Sequence, residues 1–124
     1  MKRIYDFSRN PAKRNYTVSD LKQLKISPRK LTMSNPANKE EVRACIDAGI
    51  DLFVIGPRSI KELRSVAPTH FTGVGSKWAQ FGSNEEIIAD AFEAMLKGAD
   101  MYYTLRSYEV MEQMSKEGIP VHSH

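Results

Sequence analysis

Three joints in the chain are built alike: Ala48-Gly49-Ile50-Asp51, Lys97-Gly98-Ala99-Asp100 and Glu117-Gly118-Ile119-Pro120. In each, glycine closes a run whose apolar residues recur at helical spacing, and a short β-favouring run follows. Glycine at that place supplies the left-handed turn that stops a helix. The chain therefore alternates helix with strand, which is the signature of βα units and a parallel sheet.

Caps and periodicity place the elements. Helices are predicted over 18–25 behind Thr17, and then after Asn38, Ser59, Ser83 and Ser107. Asn38-x-x-Glu41, Ser59-x-x-Glu62 and Ser83-x-x-Glu86 have capping-box spacing. Strands are predicted over 30–33, 51–55, 70–74, 101–105 and 119–124. The run 52–55 is apolar on both faces, as a strand covered on each side must be. Ile87, Ile88, Ala91, Phe92, Met95 and Leu96 form one apolar stripe. Met95, Met111, Met114 and the single cysteine, Cys45, read as core filling.

Five strands alternating with helices give an α/β fold with two possible architectures. One is a partial (β/α)8 barrel of about five parallel strands, completed by self-association; the other is a flavodoxin-like open sheet. With 124 residues, the chain is one domain, short of the roughly 200 a closed barrel needs. A homo-oligomer is the expected way to cover the free edges.

Charge divides the chain. Residues 1–30 hold nine basic side chains against two acidic ones, a balance of +7, and the rest balances at −4. Residues 1–16 read as a basic N-terminal arm and 17–124 as the βα-repeat domain. The arm is expected to dock on the acidic body of its own or a neighbouring subunit. With Tyr5, Phe7 and Tyr16 interleaved it could also track a nucleic acid, but no nucleic-acid motif accompanies it, and nucleic acid is the weaker alternative. No apolar run approaches the ~20 residues of a membrane crossing, and the N-terminus lacks a signal-peptide core. A cytoplasmic protein without a membrane partner is expected.

Ligands of such sheets bind at the carboxyl ends of the strands. There the sequence places Ser34 and Asn35, then Gly56, Arg58 and Ser59, then Ser76 and Lys77, then Arg106 and Ser107, and finally His122 and His124. Cations, serines and helix N-termini without a carboxylate suit a small anion such as a carboxylate or phosphate. Gly73-x-Gly75-Ser76-Lys77 lacks the spacing of a phosphate-cradling loop. His122 and His124 share a face of their strand, but no third ligand joins them and no metal site is expected. Trp78 and Phe81 are expected to cover the mouth of the sheet.

Leu31-Thr32-Met33, the segment from Ala48 to Gly56, Gly98-Ala99-Asp100-Met101 and the segment from Glu117 to His124 together resemble ketopantoate hydroxymethyltransferase, of the phosphoenolpyruvate mutase and isocitrate lyase superfamily of (β/α)8 barrels. The resemblance implies a cytoplasmic, oligomeric transferase or lyase-type enzyme acting on a 2-oxo acid. It implies magnesium and methylenetetrahydrofolate as cofactors of family members, and His124 as the matching catalytic or substrate-contacting residue. Where the family reads Gly-Asp-Ser, this chain reads Gly56-Pro57-Arg58-Ser59, and Tyr103-Thr104-Leu105 stands in place of its Lys-x-Glu. No cofactor is therefore expected in this chain. The family continues through three more strands, so the resemblance implies either a relative reshaped around an anion or a non-catalytic, self-assembling piece of a barrel, truncated or engineered.

Overall fold

The computed structural model describes the backbone of residues 1–124 and every side chain except that of Trp78. The chain runs β1 (Lys2–Tyr5), β2 (Pro11–Arg14), α1 (Val18–Gln23), β3 (Met33–Ser34), α2 (Lys39–Asp47), β4 (Leu52–Ile55), α3 (Ile60–Val66), β5 (Phe71–Gly75), α4 (Asn84–Leu96), β6 (Met101–Tyr103), α5 (Tyr108–Lys116) and β7 (Val121–His122).

Four helices start where the capping residues stand. Thr17, Asn38, Ser83 and Ser107 accept from the amides of Asp20, Glu41, Glu86 and Val110. Helix α3 departs from this. Pro57 opens a 3-10 turn that leads into it, so Ser59 is already helical and its hydroxyl makes no capping bond; the expected box with Glu62 does not form. The three glycine joints share one geometry. Gly49, Gly98 and Gly118 have φ of 78°, 108° and 83°. The amides of Ile50, Ala99 and Ile119 each reach back five residues, to the carbonyls of Cys45, Ala94 and Met114.

The five later strands form one parallel sheet in the order β3-β4-β5-β6-β7, each beside its neighbour in sequence. A flavodoxin-like order, in which the first strand moves inward, is not found. Right-handed crossovers repeated in one direction put their helices on one face. There Phe53, Ile55, Val74 and Tyr102 pack against Val42, Ile60, Ile87, Val110 and Met114. The alternate residues Leu52, Val54, Phe71 and Met101 face the other way and meet Tyr16, Val18, Leu21 and Leu31. Residues ahead of the sheet thus cover part of that second face.

The basic arm is an antiparallel hairpin, β1 pairing with β2, which the charge pattern did not reveal. It folds back on the body as expected. Phe7 lies against Phe92 with ring centroids 5.8 Å apart, Lys2 pairs with Asp20, and buried Arg14 pairs with Asp100. Other departures are local. The outer strands are shorter than predicted, because β3 and β7 have a neighbour on one side only. Helix α1 ends at Gln23 and continues as a 3-10 turn, Leu24–Ile26. Leu96, expected in the apolar stripe, is exposed at the last turn of α4. Cys45 is half-buried at the edge of the core, its Sγ 3.6 Å from Ser34 Oγ. Among the described residues, no helix is long and apolar enough to cross a membrane.

Candidate functional site

A cleft of about 1030 Å³ opens at the carboxyl ends of the strands, on the face away from helices α2 to α5. Its floor is set by parity along the strands. Val54, Gly75, Tyr103 and His122 all point into it, as do Asn35 from the β3 end and His124 beyond β7. Gly56, Ser76 and Lys77 form its rim. Of the residues expected at this site, the fold therefore brings Asn35, Gly56, Ser76, Lys77, His122 and His124 together.

The other five do not line it. Ser34 has the opposite parity to Met33 and Asn35, and its hydroxyl meets Cys45 on the helix side. Arg58 is carried outward on the 3-10 turn and is exposed, with Ser59 behind it. Ser107 is occupied as the cap of α5. Arg106 turns to the loop ahead of α4, its Nε donating to Asn84 Oδ1 at 3.2 Å and its Nη1 to the Phe81 carbonyl at 3.1 Å. Phe81 packs on the helix-side core rather than over the cleft; the side chain of Trp78 lies outside the described residues.

Ser76 is held by a carboxylate that strand-end reasoning missed. Its hydroxyl donates to Asp90 Oδ2 at 2.6 Å, and the Tyr102 hydroxyl donates to the same oxygen at 2.5 Å. Asp90 comes from the middle of α4. No strand-end motif marks it, although its place three residues after Ile87 puts it one turn along the face that packs on the sheet. Burial and this hydrogen bond push the Tyr102 hydroxyl's pKa well up, so it stays a donor.

Among the described residues, the cleft itself carries one lysine, two histidines and an aromatic ring. Tyr103 lies between the two histidines, its ring 5.3 Å from that of His122 and 5.6 Å from that of His124, both near edge-on. Tyr103 was missed as a lining residue; its parity with Met101 could have shown it. His122 Nδ1 is buried and has no hydrogen-bond partner among the described residues. Burial, and then the charge of His124, lowers the His122 pKa. Lys77 makes no ion pair among the described residues, and no Asp or Glu lines the cleft. Magnesium needs several hard oxygen ligands, so this lining does not fit the ion that the resembled family uses. Among the described residues there is no group of three His, Cys, Asp or Glu side chains able to hold a metal.

A second cleft, about 710 Å³, lies at the opposite ends of the strands, with His70 in its wall as its place in the sequence predicts. Its polar groups serve each other. Asp51 accepts from Thr32 and from the Tyr16 hydroxyl, which in turn accepts from Arg29. The arrangement ties the N-terminal segment to the sheet. No protein-family model and no curated protein sequence matches the chain.

Proposed function

We propose that the chain is a barrel segment of the ketopantoate hydroxymethyltransferase type that binds a small anionic 2-oxo acid, or a phosphate-like anion, in the cleft at the strand ends. One observation carries the reading: Lys77, His122 and His124 share a cleft with no Asp or Glu side chain in its lining among the described residues. The successive strand order and the helices on a single face are what a run of barrel staves would have. Lys77 would meet the carboxylate, and the open space over Gly56 would leave room for it, whereas Tyr103 already fills the space over Gly75. In a catalytic relative, His124 would be the group to exchange a proton beside the oxo carbon, where the nearby cation would stabilise an enolate. The reading is of binding rather than turnover, since the acids that grip magnesium in the family have no counterpart in the lining.

Calorimetric titration of the chain with pyruvate, 3-methyl-2-oxobutanoate and inorganic phosphate at low salt tests it. Binding should weaken at least tenfold in Lys77→Ala and hold in Arg58→Ala. Loss with Arg58→Ala but not Lys77→Ala, or no heat with any of the three, removes the proposal. A second reading, self-assembly through the open sheet, draws on exposed Met33 and Leu105 at the cleft and on the single-sided pairing of β3 and β7. Light scattering on the eluting chain decides it: a monomer at high concentration rejects assembly.

A further inference from the structure

Docking of the hairpin uses only one of its faces. Ile4, Ala12 and Arg14 belong to the inner face, where Arg14 is buried against Asp100. The alternate residues, Arg3, Tyr5, Pro11 and Lys13, are all exposed. Register makes this outer face unusual: Arg3 stands directly opposite Lys13, and Tyr5 opposite Pro11. Like charges facing each other across a strand pair are destabilising, so the chain holds two cations together where spacing them would favour folding. A third, Arg9, lies exposed in the hairpin turn. Among the described residues none of the three makes an ion pair. The hairpin's one acid, Asp6, is engaged within the turn, accepting from the Asn10 amide at 2.8 Å and from the Asn10 side-chain nitrogen at 3.4 Å. Tyr5, 75% exposed, lies beside Arg3 on this face with no ring contact among the described residues.

We infer that the outer face of the β1-β2 hairpin binds single-stranded nucleic acid. Arg3, Lys13 and Arg9 would contact consecutive phosphates, and a base would stack on Tyr5. The partner's chemistry follows from the pairing of features. Phosphates need clustered cations with no carboxylate among them, and a solvent-facing tyrosine gives an unpaired base an apolar surface that a duplex, with its bases already stacked, has no use for. The site is separate from the strand-end cleft, so it stands whether or not an anion binds there.

Fluorescence anisotropy with labelled rU20, dT20 and a duplex of equal length tests the proposal on the full chain. Three phosphate contacts predict a log–log salt slope of about −2 for a single strand. Arg3→Ala with Lys13→Ala should flatten the slope to about −0.7. Tyr5→Ala should weaken binding about tenfold while keeping the slope. Circular dichroism confirms folding, and Lys61→Ala with Lys116→Ala, equal in charge but elsewhere on the chain, should leave binding unchanged. Comparing rU20 with dT20 tells RNA from DNA. The proposal fails if no single strand binds at 20 mM salt, if the Lys61/Lys116 variant loses as much as the Arg3/Lys13 variant, if the duplex binds tighter than either single strand, or if anionic vesicles bind and the oligonucleotides do not.

Discussion

Arg14 and Asp100, 86 residues apart in sequence, meet in the buried floor between hairpin and sheet, with Arg14 Nε 2.9 and 3.0 Å from the two carboxylate oxygens. Asp100 also accepts from Arg64 Nη2 at 2.6 Å and from the Thr72 amide at 2.9 Å. One anion thus serves two guanidinium groups, and burial works against the charge on Arg64. Removing one partner of a buried pair leaves the other without compensation. Asp100→Asn is therefore expected to destabilise the chain by about 3–5 kcal/mol. Arg14→Met should cost less, because Asp100 keeps Arg64 and the Thr72 amide. Urea unfolding measures both; an Arg14 variant less stable than the Asp100 variant contradicts this hierarchy.

The order of elements was legible in the sequence because its signals are local. Caps such as Asn38 and Ser83, and the glycines at 49, 98 and 118, act within five residues of themselves. What was not legible depends on pairing at a distance. The hairpin was hidden because Lys2, Arg3, Lys13 and Arg14 read as charge before they read as two strands. Arg58 and Arg106 were expected in the cleft because strand ends converge there, but a proline-led turn swings one away and the Asn84 and Phe81 acceptors hold the other. His122 and His124 line the same cleft, as the period of two along an extended chain implies.

The Asp90 bridge makes a claim about coupling. Ser76 and Tyr102 donate to one oxygen, so removing either leaves the carboxylate with the other. Tyr102→Phe is expected to cost about 1.5–3 kcal/mol, the range for a hydrogen bond to a charged group, with Tyr102 fully buried. Ser76→Ala should cost less alone, and the double variant should lose more than the sum of the two, because the carboxylate then has no donor. Additive losses in a urea-unfolding cycle would show that Asp90 is satisfied elsewhere.

Histidine titration sets a pH dependence near neutrality. Burial lowers the pKa of His122, and with it the charge of His124; burial, and then Arg64, lowers that of His70. Between the lowered folded values and the ordinary histidine value near 6.5, the unfolded chain binds more protons than the folded one. Stability therefore rises with pH across that window and falls on acidification, reaching a floor once the folded histidines also protonate. Asp51 acts at lower pH: burial would raise its carboxyl, but bonds from Thr32 and Tyr16 hold it below the usual carboxylate range. Denaturant midpoints measured from pH 7.5 to 5 should fall, and His122→Asn should fall less. An unchanged pH slope in that variant would assign the effect to other groups.

Arg9, in the turn that joins β1 to β2, is among the described residues the one other than glycine with positive φ, 65°. Its amide donates to the Asp6 carbonyl at 2.9 Å, and the Asp6 amide donates to the Asn10 carbonyl at 2.9 Å, so the turn fixes that conformation from both sides. A side chain in the left-handed region costs about 1–2 kcal/mol, which glycine avoids. Part of that gain is offset, because glycine also loosens the unfolded chain. Arg9→Gly is therefore expected to raise stability by about 0.5–1 kcal/mol, seen as a higher urea midpoint at unchanged slope. If the turn keeps arginine for its charge, the same variant should bind rU20 more weakly, with a salt slope shallower by about 0.7. A more stable variant with undiminished binding would leave the hairpin face with two phosphate contacts instead of three, while a less stable one would mean that the Arg9 side chain, not its backbone, holds the turn.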